Sequence, residues 1–409
     1  MPREESRSTL LSDATIQEKN EGNLDSQLGT VMKRRSFLKG LGVAGAALSA
    51  SALMSAETGP EERNGSLTKG DAAILRFLAA AEIIESDLWL QYTELAGVQD
   101  DEVAKIASGQ IPGYPAKATG GSAAYTTALT KLDMDMPQYI HDNTEDELSH
   151  ETFINAYLVS KGAEPVSLDR FRTLPSSKAT GANQVGRITN LMQLSVDTSW
   201  WTRYRSRNGN PDLGDKFRQA VPSLAVNQHP AIPRTDDDLK DNPKFLQAIA
   251  NTAGFHFAFI EQGGSSLYPQ LAQRVTHPEV LRILLSIGPT ETCHFQTWHD
   301  KAGNAPALSV TDPETGVHVS FPNLTSFPAK TPPSVVEDLQ ANLIMPEPTA
   351  FLNRNLPRIS IIRPTETKNA ATKAIAGLVT DGLFIGQSQE FFDFMRDLSE
   401  DADEARRER

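Results

Sequence analysis

The sequence contains one cysteine among its 409 residues, Cys293, so an intrachain disulfide is excluded in any compartment. Basic residues are a minority: 39 Lys and Arg against 52 Asp and Glu give a formal net charge of −13. That balance argues against nucleic acid or anionic lipid as the main partner. Beyond the first 56 residues we find no apolar run that predicts a membrane span and no short internal repeat. The composition is otherwise ordinary for a globular protein that is long enough to bury a large core.

The N-terminal 56 residues have the pattern of a targeting segment. Residues 1–30 are polar and without periodicity, which predicts disorder. Lys33–Lys39, with Arg34 and Arg35 before Ser-Phe-Leu-Lys, precedes the mildly apolar run Gly40–Met54 and the small residues up to Ala56. This order resembles a twin-arginine export signal, against the alternative of a chance Arg pair beside an Ala-rich helix.

A twin-arginine signal implies the export machinery of that route as a partner, and the periplasm or cell envelope as the location. The route carries proteins that are already folded, which suits a protein that receives a metal in the cytoplasm. The sequence leaves open whether the signal is cleaved or is kept as an anchor.

Apolar residues recurring every three or four positions predict four long helices, at about 69–97, 137–161, 243–275 and 278–302. Asn242 is a suitable N-cap for the third helix, and Gly162 a stop for the second. The fold class is therefore all-α, with a long crossover insertion at 163–242 that includes a helix near 185–206. Residues 304–409 form a mostly irregular extension with helices near 368–385 and 387–400 and a frayed, charged tail.

Two of these helices each carry a Glu-x-x-His pair, Glu147/His150 and Glu291/His294. Residues i and i+3 lie on one face of a helix, so each pair directs a carboxylate and an imidazole to the same point. The Gly288-Pro289 dipeptide before the second pair predicts a kinked, interrupted helix.

The other two long helices each place a glutamate on an apolar face, Glu82 in the first and Glu261 in the third. A buried carboxylate is costly unless it is paired, hydrogen-bonded or bound to a metal. Glu85 shares the face of Glu82, and we expect it at the edge, where it reaches solvent. Gly263-Gly264 would let a neighbouring helix approach closely.

The spacing of these residues fits two helical hairpins with their acidic groups at the same height. The midpoint between Glu261 and Glu291 is residue 276, within the turn signal Thr276-His277-Pro278. Fifteen residues on each side give about 22 Å of helix. The midpoint between Glu82 and Glu147 falls near residue 114, in a Gly/Pro-rich loop.

Four glutamates converging in a core would repel one another unless cations offset their charge. Carboxylate oxygens with one imidazole per metal suit iron or manganese better than zinc or copper. The sequence therefore predicts two iron or manganese ions, with Glu147 and Glu291 as the favoured bridging ligands and Glu82 and Glu261 as terminal or bridging ones. We expect His150 and His294 each to be a ligand of one of the two metal ions. We expect Cys293, at i+2 from Glu291, to be a buried structural thiol.

This six-residue set resembles that of the ferritin-like superfamily, the di-metal carboxylate four-helix bundles. Three stretches also resemble exported bacterial ferritin-like domain proteins akin to plant desiccation-related proteins: Ile74–Trp89, Glu145–Glu151 and Phe259–Gly264. The likeness covers roughly 69–161 and 243–302. It implies a four-helix bundle, often with a di-iron site, in a family whose reactions are mostly unassigned.

The leading functional hypothesis is an exported redox protein that acts on oxygen, peroxide or ferrous iron. The sequence does not separate a ferroxidase-like from a manganese-catalase-like oxidoreductase, and it leaves an oligomer open. The alternative is a non-enzymatic structural or desiccation-protective protein of the cell envelope. Metal content, followed by peroxide and ferrous-oxidation assays, discriminates between the two.

Overall fold

A computed structural model describes residues 66–98, 102–111, 113–114, 120–240, 242–341, 346–364 and 368–408. The N-terminal segment 1–56 and its twin-arginine motif lie outside the described residues. The chain divides into two compact units. One consists of residues 57–107 and 113–409, and the other of residues 1–56 with 108–112. The helices and strands of the described residues all lie in the unit formed by residues 57–107 and 113–409.

The structure is mainly helical, as the hydrophobic periodicity predicts. In chain order its helices are α1 Lys69–Ala96, α2 Val103–Ala107, α3 Ala123–Leu129, α4 Met136–Ser160, α5 Ser199–Arg205, α6 Asp236–Lys240, α7 Pro243–Ala272, α8 Pro278–Ala302, α9 Pro333–Leu339, α10 Ala370–Thr380 and α11 Gln389–Glu404. Two short strands, β1 Leu308–Thr311 and β2 His318–Phe321, pair antiparallel with Leu308 opposite Phe321.

The long helices end where their capping residues predict. The side chain of Asn242 accepts a hydrogen bond from Phe245 N at the start of α7. Thr68 Oγ1 caps α1 in the same way by accepting from Asp71 N. Gly162, after α4, has a φ of +73°, a conformation that a side chain disfavours. These local signals explain why the four predicted helices match the observed ones to within about three residues at each end.

The four long helices form two closely packed pairs, α1 with α4 and α7 with α8, and α4 also contacts α8. Their buried faces supply much of the hydrophobic core, which includes a cluster of aromatic rings. Trp89 of α1 stacks on Trp298 of α8 with centroids 5.3 Å apart, and Phe257 of α7 lies 4.8 Å from Trp298. Helix α8 also continues without a break through Pro289, so the interruption predicted there is wrong. The proline removes the partner of the Leu285 carbonyl, and Leu285 lies on the exposed side, 56% accessible.

The segment between α4 and α7 contains less helix than its sequence suggests. The helix predicted near 185–206 is confined to Ser199–Arg205. The residues before it are mostly extended or irregular and make isolated bridges, such as that between Leu194 and His229. Hydrogen bonds from this segment to α1 replace helical ones, since Ile188 N and Thr189 N both donate to the buried Asp87 carboxylate.

The aromatic residues of α5 are structural. Trp200 and Trp201 are buried, and the Trp201 ring stacks on His299 of α8 at 4.5 Å. The guanidinium carbon of Arg205 lies 3.8 Å from the centroid of the Trp201 ring. These contacts pack α5 against α8.

The C-terminal extension folds onto the long helices, and α11 packs against α1. The frayed tail predicted after residue 400 is wrong. Helix α11 runs to Glu404, and Asp403 pairs with Arg274 at 2.8 Å. Ionic and backbone contacts offset the conformational entropy that these charged residues lose when they are ordered.

Both ends of the described chain meet the turn between α7 and α8. Asp71, in the first turn of α1, accepts from Thr276 N and His277 N at 2.8 and 3.0 Å. From the other end, Arg407 Nε donates to the Val275 carbonyl at 2.8 Å, and Glu408 N donates to Thr276 Oγ1. The turn that aligns α7 with α8 is thus held by residues from both ends.

None of the helices in the described residues is both long and apolar enough to cross a membrane.

We expect Asp71→Ala to lower the free energy of unfolding by about 2–4 kcal/mol, because two backbone N–H groups lose a charged acceptor. Lys69→Ala, at an exposed position in the same helical turn, is the matched control and should change it by less than about 0.5 kcal/mol. Urea unfolding followed by circular dichroism measures both. Equal effects of the two substitutions would contradict the role assigned to Asp71.

Candidate metal centre

The structure brings the six residues predicted as ligands together in the core. They form two groups, in each of which one oxygen or nitrogen per residue lies within 4.8 Å of the others: Glu82, Glu147, His150 and Glu291 in the first, and Glu147, Glu261, Glu291 and His294 in the second. The two groups share Glu147 and Glu291, the residues predicted as bridges. One glutamate comes from each of the four long helices, and all four are fully buried.

His150 faces the first group through its Nδ1 atom. This nitrogen lies 3.4 Å from Glu82 Oε2, 3.1 Å from Glu147 Oε2 and 3.3 Å from Glu291 Oε1. A ring nitrogen facing three carboxylates from three helices is at the centre of a ligand set rather than at its edge.

His294 faces the second group in the same way. Its Nδ1 lies 3.1 Å from Glu147 Oε1 and 3.2 Å from Glu261 Oε2. Its other nitrogen, Nε2, is 3.0 Å from the half-exposed carboxylate of Asp146. A carboxylate on the second nitrogen is the usual partner of a metal-binding histidine, because it fixes the orientation of the ring.

Three oxygens of this cluster lack a hydrogen bond within the described part of the chain: Glu82 Oε2 and both oxygens of Glu291. Some other buried carboxylates, such as Asp71 and Asp87, have a hydrogen bond on each oxygen. Asp71 accepts a backbone hydrogen bond on each oxygen, and Asp87 accepts from Arg172 on one oxygen and from Ile188 N and Thr189 N on the other. Burying carboxylate oxygens without a hydrogen bond costs free energy, and a bound cation would offset that cost.

In the metal-free protein, the pKa values of the four clustered glutamates shift in different directions. Burial raises the pKa of Glu82 to about 7, against the opposing charge of His150. Burial and the neighbouring Glu147 charge likewise raise the pKa of Glu261 and Glu291. For Glu147 burial is outweighed by hydrogen bonds from His150 and His294, which lower its pKa.

The pKa values of both histidines move upward. Burial alone would lower the pKa of each ring, but the charge of Glu82 raises that of His150, and the charge of Glu261 raises that of His294. In the metal-free protein, protons therefore take the place of cations between the carboxylates.

Uncharged side chains orient the glutamates, and the sequence did not identify them as site residues. Asn143 Nδ2 donates to Glu147 Oε1 at 2.8 Å and to Glu261 Oε1 at 2.9 Å, and its Oδ1 accepts from Trp298 Nε1 at 2.7 Å. Asn143 and Trp298 each lie one helical turn from a ligand on the same apolar face, a signal that marks their positions but not the side chains that they contact. The Tyr268 hydroxyl donates to Glu82 Oε1.

Glycine allows α7 and α8 to meet at the cluster. A Cβ atom on Gly264 would lie 2.6 Å from Glu291 Oε2, and one on Gly288 would lie 2.7 Å from the Cβ of Tyr268. The close approach predicted from Gly263-Gly264 therefore holds for Gly264. A Cβ atom on Gly263 would meet no described atom within 4 Å.

Cys293 and His141, which lie near the ligands in sequence, do not belong to the cluster. Cys293 is exposed, so the prediction of a buried thiol is wrong: the i+2 position turns away from the Glu291 face and reaches solvent rather than another helix. Buried His141 belongs to a separate group, with Tyr114 Oη 3.0 Å from its Nδ1 and Glu102 and Glu145 within 3.7 Å of its Nε2.

Glu85 is partly accessible, but the space it reaches is a cavity beside the cluster. Burial raises its pKa, as do the charges of Glu291 and Glu147, so it lies within electrostatic range of the site. It belongs to neither ligand group.

Comparisons of the chain with protein-family models, with curated proteins and with solved structures find no match.

We expect Gly264→Ala to destabilise the protein by about 1–3 kcal/mol, because the added methyl group overlaps the buried Glu291 carboxylate. The neighbouring Gly263→Ala is the matched control. It should be neutral or stabilising by up to about 1 kcal/mol, since alanine favours the helix and its methyl group meets no atom. Chemical denaturation of both variants measures the difference, and a Gly264→Ala protein as stable as Gly263→Ala would contradict this geometry.

Proposed function

We propose that this protein is an exported, ferritin-like two-metal carboxylate protein that carries out redox chemistry on oxygen, peroxide or ferrous iron. One observation carries the proposal: four long helices each contribute a fully buried glutamate to one cluster with two histidines, and three of the carboxylate oxygens accept no hydrogen bond from the described residues. The pairing of α1 with α4 and of α7 with α8, joined by a long crossover, supports a four-helix bundle of the ferritin-like kind.

The donor set fits two divalent cations. Four carboxylates and two divalent cations balance in charge, which removes the electrostatic cost of burying four acids together. Glutamate oxygens with one imidazole per ion favour iron or manganese over zinc or copper. When bound, such a pair of ions would donate electrons to a small oxidant or accept them from a small reductant.

The residues of the chain hold this site rigid and dry. Asn143 is fixed by Trp298 and in turn positions one oxygen each of Glu147 and Glu261. The Tyr268 hydroxyl orients Glu82 and, because its pKa is raised by burial and the nearby carboxylates, keeps its proton. The rings of Trp89 and Phe257 pack against Trp298 and shield Asn143 from water.

Export remains a proposal that depends on the sequence around Arg34 and Arg35. The folded core supports it in one respect: a metal cluster buried among four helices is loaded before or during folding, which suits a route for folded proteins.

Metal analysis of single substitutions tests the two-metal assignment. Wild-type protein should hold two equivalents of iron or manganese. Glu147→Gln and Glu291→Gln should lose both ions, because each residue is shared by the two groups, whereas His150→Ala and His294→Ala should each weaken one ion selectively. Glu164→Gln and His318→Ala, at exposed positions, serve as matched controls.

Near-zero iron and manganese in the wild-type protein would remove the enzyme proposal. Two bound ions with no turnover of peroxide or ferrous iron would favour instead the structural or desiccation-protective alternative. Equal losses in every variant, the controls included, would indicate misfolding rather than loss of ligands.

We expect metal binding to release protons and to strengthen as the pH rises. Glu82, with its pKa raised to about 7, loses its proton as the pH passes that value, and both histidines must give up a proton to present a lone pair. Titration with Mn²⁺ in weakly buffered solution measures the released protons, and the apparent affinity should be higher at about pH 7.5 than at about pH 6. A pH-independent affinity would contradict the protonated cluster.

A further inference from the structure

A cavity of about 580 Å³ lies beside the metal cluster, between α1, α7, α10 and the segment that joins α4 to α7. This volume is typical of sites for small molecules. Most of its lining is aliphatic or aromatic, including Phe77 and Ile84 from α1, Phe259 and Leu267 from α7, and Leu378 from α10. A space with such walls favours an apolar occupant.

Two glycines keep the cavity open. Gly263 in α7 and Gly377 in α10 both line it, and a Cβ atom on either would meet no described atom within 4 Å. A glycine inside a helix costs about 1 kcal/mol relative to alanine. Close packing of helices, the usual reason for such a glycine, does not apply to these two. Because neither glycine carries a side chain, both leave the volume of the cavity beside them free.

The cavity also contains a buried acid that is poorly satisfied. Asp381, just after α10, lines the cavity and is 7% exposed, and its Oδ2 has no hydrogen-bond partner within the described residues. Burial, with a contribution from the Asp197 charge, raises the pKa of Asp381 to about 8. At neutral pH the group is therefore mainly a neutral carboxyl, which can both donate and accept a hydrogen bond.

The wall between the cavity and the cluster consists of residues already described at the metal centre. Tyr268 lines the cavity, and its hydroxyl donates to Glu82. Gly264 lines it as well, and would bring a Cβ atom to 2.6 Å from Glu291 Oε2. Glu85 extends into the same space one helical turn after Glu82. An occupant of the cavity is therefore separated from the ligands by a single layer of side chains.

We propose that this cavity binds a neutral, mainly apolar small molecule that carries a hydroxyl group, with Asp381 as the partner of the hydroxyl. The apolar part of the walls disfavours a strongly hydrated ligand. Lys373 also lines the cavity, but the acidic groups Glu85, Asp197 and Asp381 outnumber it and disfavour an anion.

The cavity borders Tyr268 and Gly264, which adjoin the ligands Glu82 and Glu291. We therefore assign its occupant to the metal centre as a molecule whose binding alters that site. This part of the inference rests on the proposed function.

Binding of three ligands of equal chain length tests the inference. With the full chain in its metal-free form, isothermal titration calorimetry should show 1-octanol binding, with octanoate and octylamine weaker by about tenfold or more because their charges must be desolvated. A preference for octylamine or octanoate would overturn the neutral class of ligand.

Substitutions locate the binding. Gly377→Leu should weaken 1-octanol binding at least about tenfold by filling the cavity, and Gly263→Leu should do the same from the opposite helix. Ala376→Leu is the matched control, since Ala376 is exposed on the same helix and does not line the cavity. Unchanged binding in both folded glycine variants would overturn the assignment of the cavity.

Two substitutions of Asp381 test the role of its carboxyl group. Asp381→Ala should reduce the affinity for 1-octanol by about twofold to tenfold, the range for one hydrogen bond, and Asp381→Asn should restore most of it. Equal affinity in wild type and in Asp381→Ala would overturn the role of Asp381.

The link to the metal centre is measured separately, in protein loaded with Mn²⁺. Added 1-octanol should alter the electron paramagnetic resonance spectrum of the wild type but not that of Gly377→Leu. Binding that leaves the spectrum unchanged would overturn this link between the cavity and the metal centre. Failure to load Mn²⁺ would instead refute the proposed metal function, while the calorimetry on metal-free protein still decides whether the cavity binds its ligand.

Discussion

The burial of four glutamates at one point is the constraint on which much of the structure depends. Acids brought together in a core repel one another and lose their hydration, so each needs a specific partner. The two histidines and Asn143 supply part of this requirement, and Tyr268 supplies another part through Glu82. Gly264 is needed because the Glu291 carboxylate occupies the volume that a side chain would take.

The sequence predicted the long helices and the six clustered residues because both leave periodic signals. A carboxylate on an apolar face stands out against its neighbours, and the spacing of Glu261 and Glu291 about a turn places them at one height. Metal binding itself is a chemical proposal, supported by oxygens of Glu82 and Glu291 that accept no hydrogen bond from the described residues, which periodicity cannot show.

Other features could not be predicted from local sequence, because tertiary contacts decide them. The stretch before Trp200 has helical periodicity, yet its backbone donates to Asp87 on α1 instead of forming a longer helix. Cys293 is apolar enough to suggest burial, but which side of α8 is covered depends on elements distant in sequence. The residues that orient the cluster, such as Asn143, are likewise recognised only when the facing helices are in place.

The segments outside the four long helices have a physical role as walls. Ser195 and Asp197 from the crossover, together with α10 from the C-terminal extension, enclose space that the long helices leave open beside the cluster. A metal site between four helices is shielded by the helices themselves, whereas a chamber next to it needs additional chain. The added segments thus determine which molecules can come near the site.

The turn between α7 and α8 binds residues from both ends of the described chain, which has a consequence for the order of folding. Asp71 is synthesised before the turn, whereas Arg407 and Glu408 are each synthesised 132 residues after the turn residue that they contact. The final contacts around α7 and α8 therefore form only after synthesis has passed all the other described residues. Until then the hairpin that carries Glu261 and Glu291 lacks part of its support, and the nascent chain remains adaptable while its acidic cluster assembles.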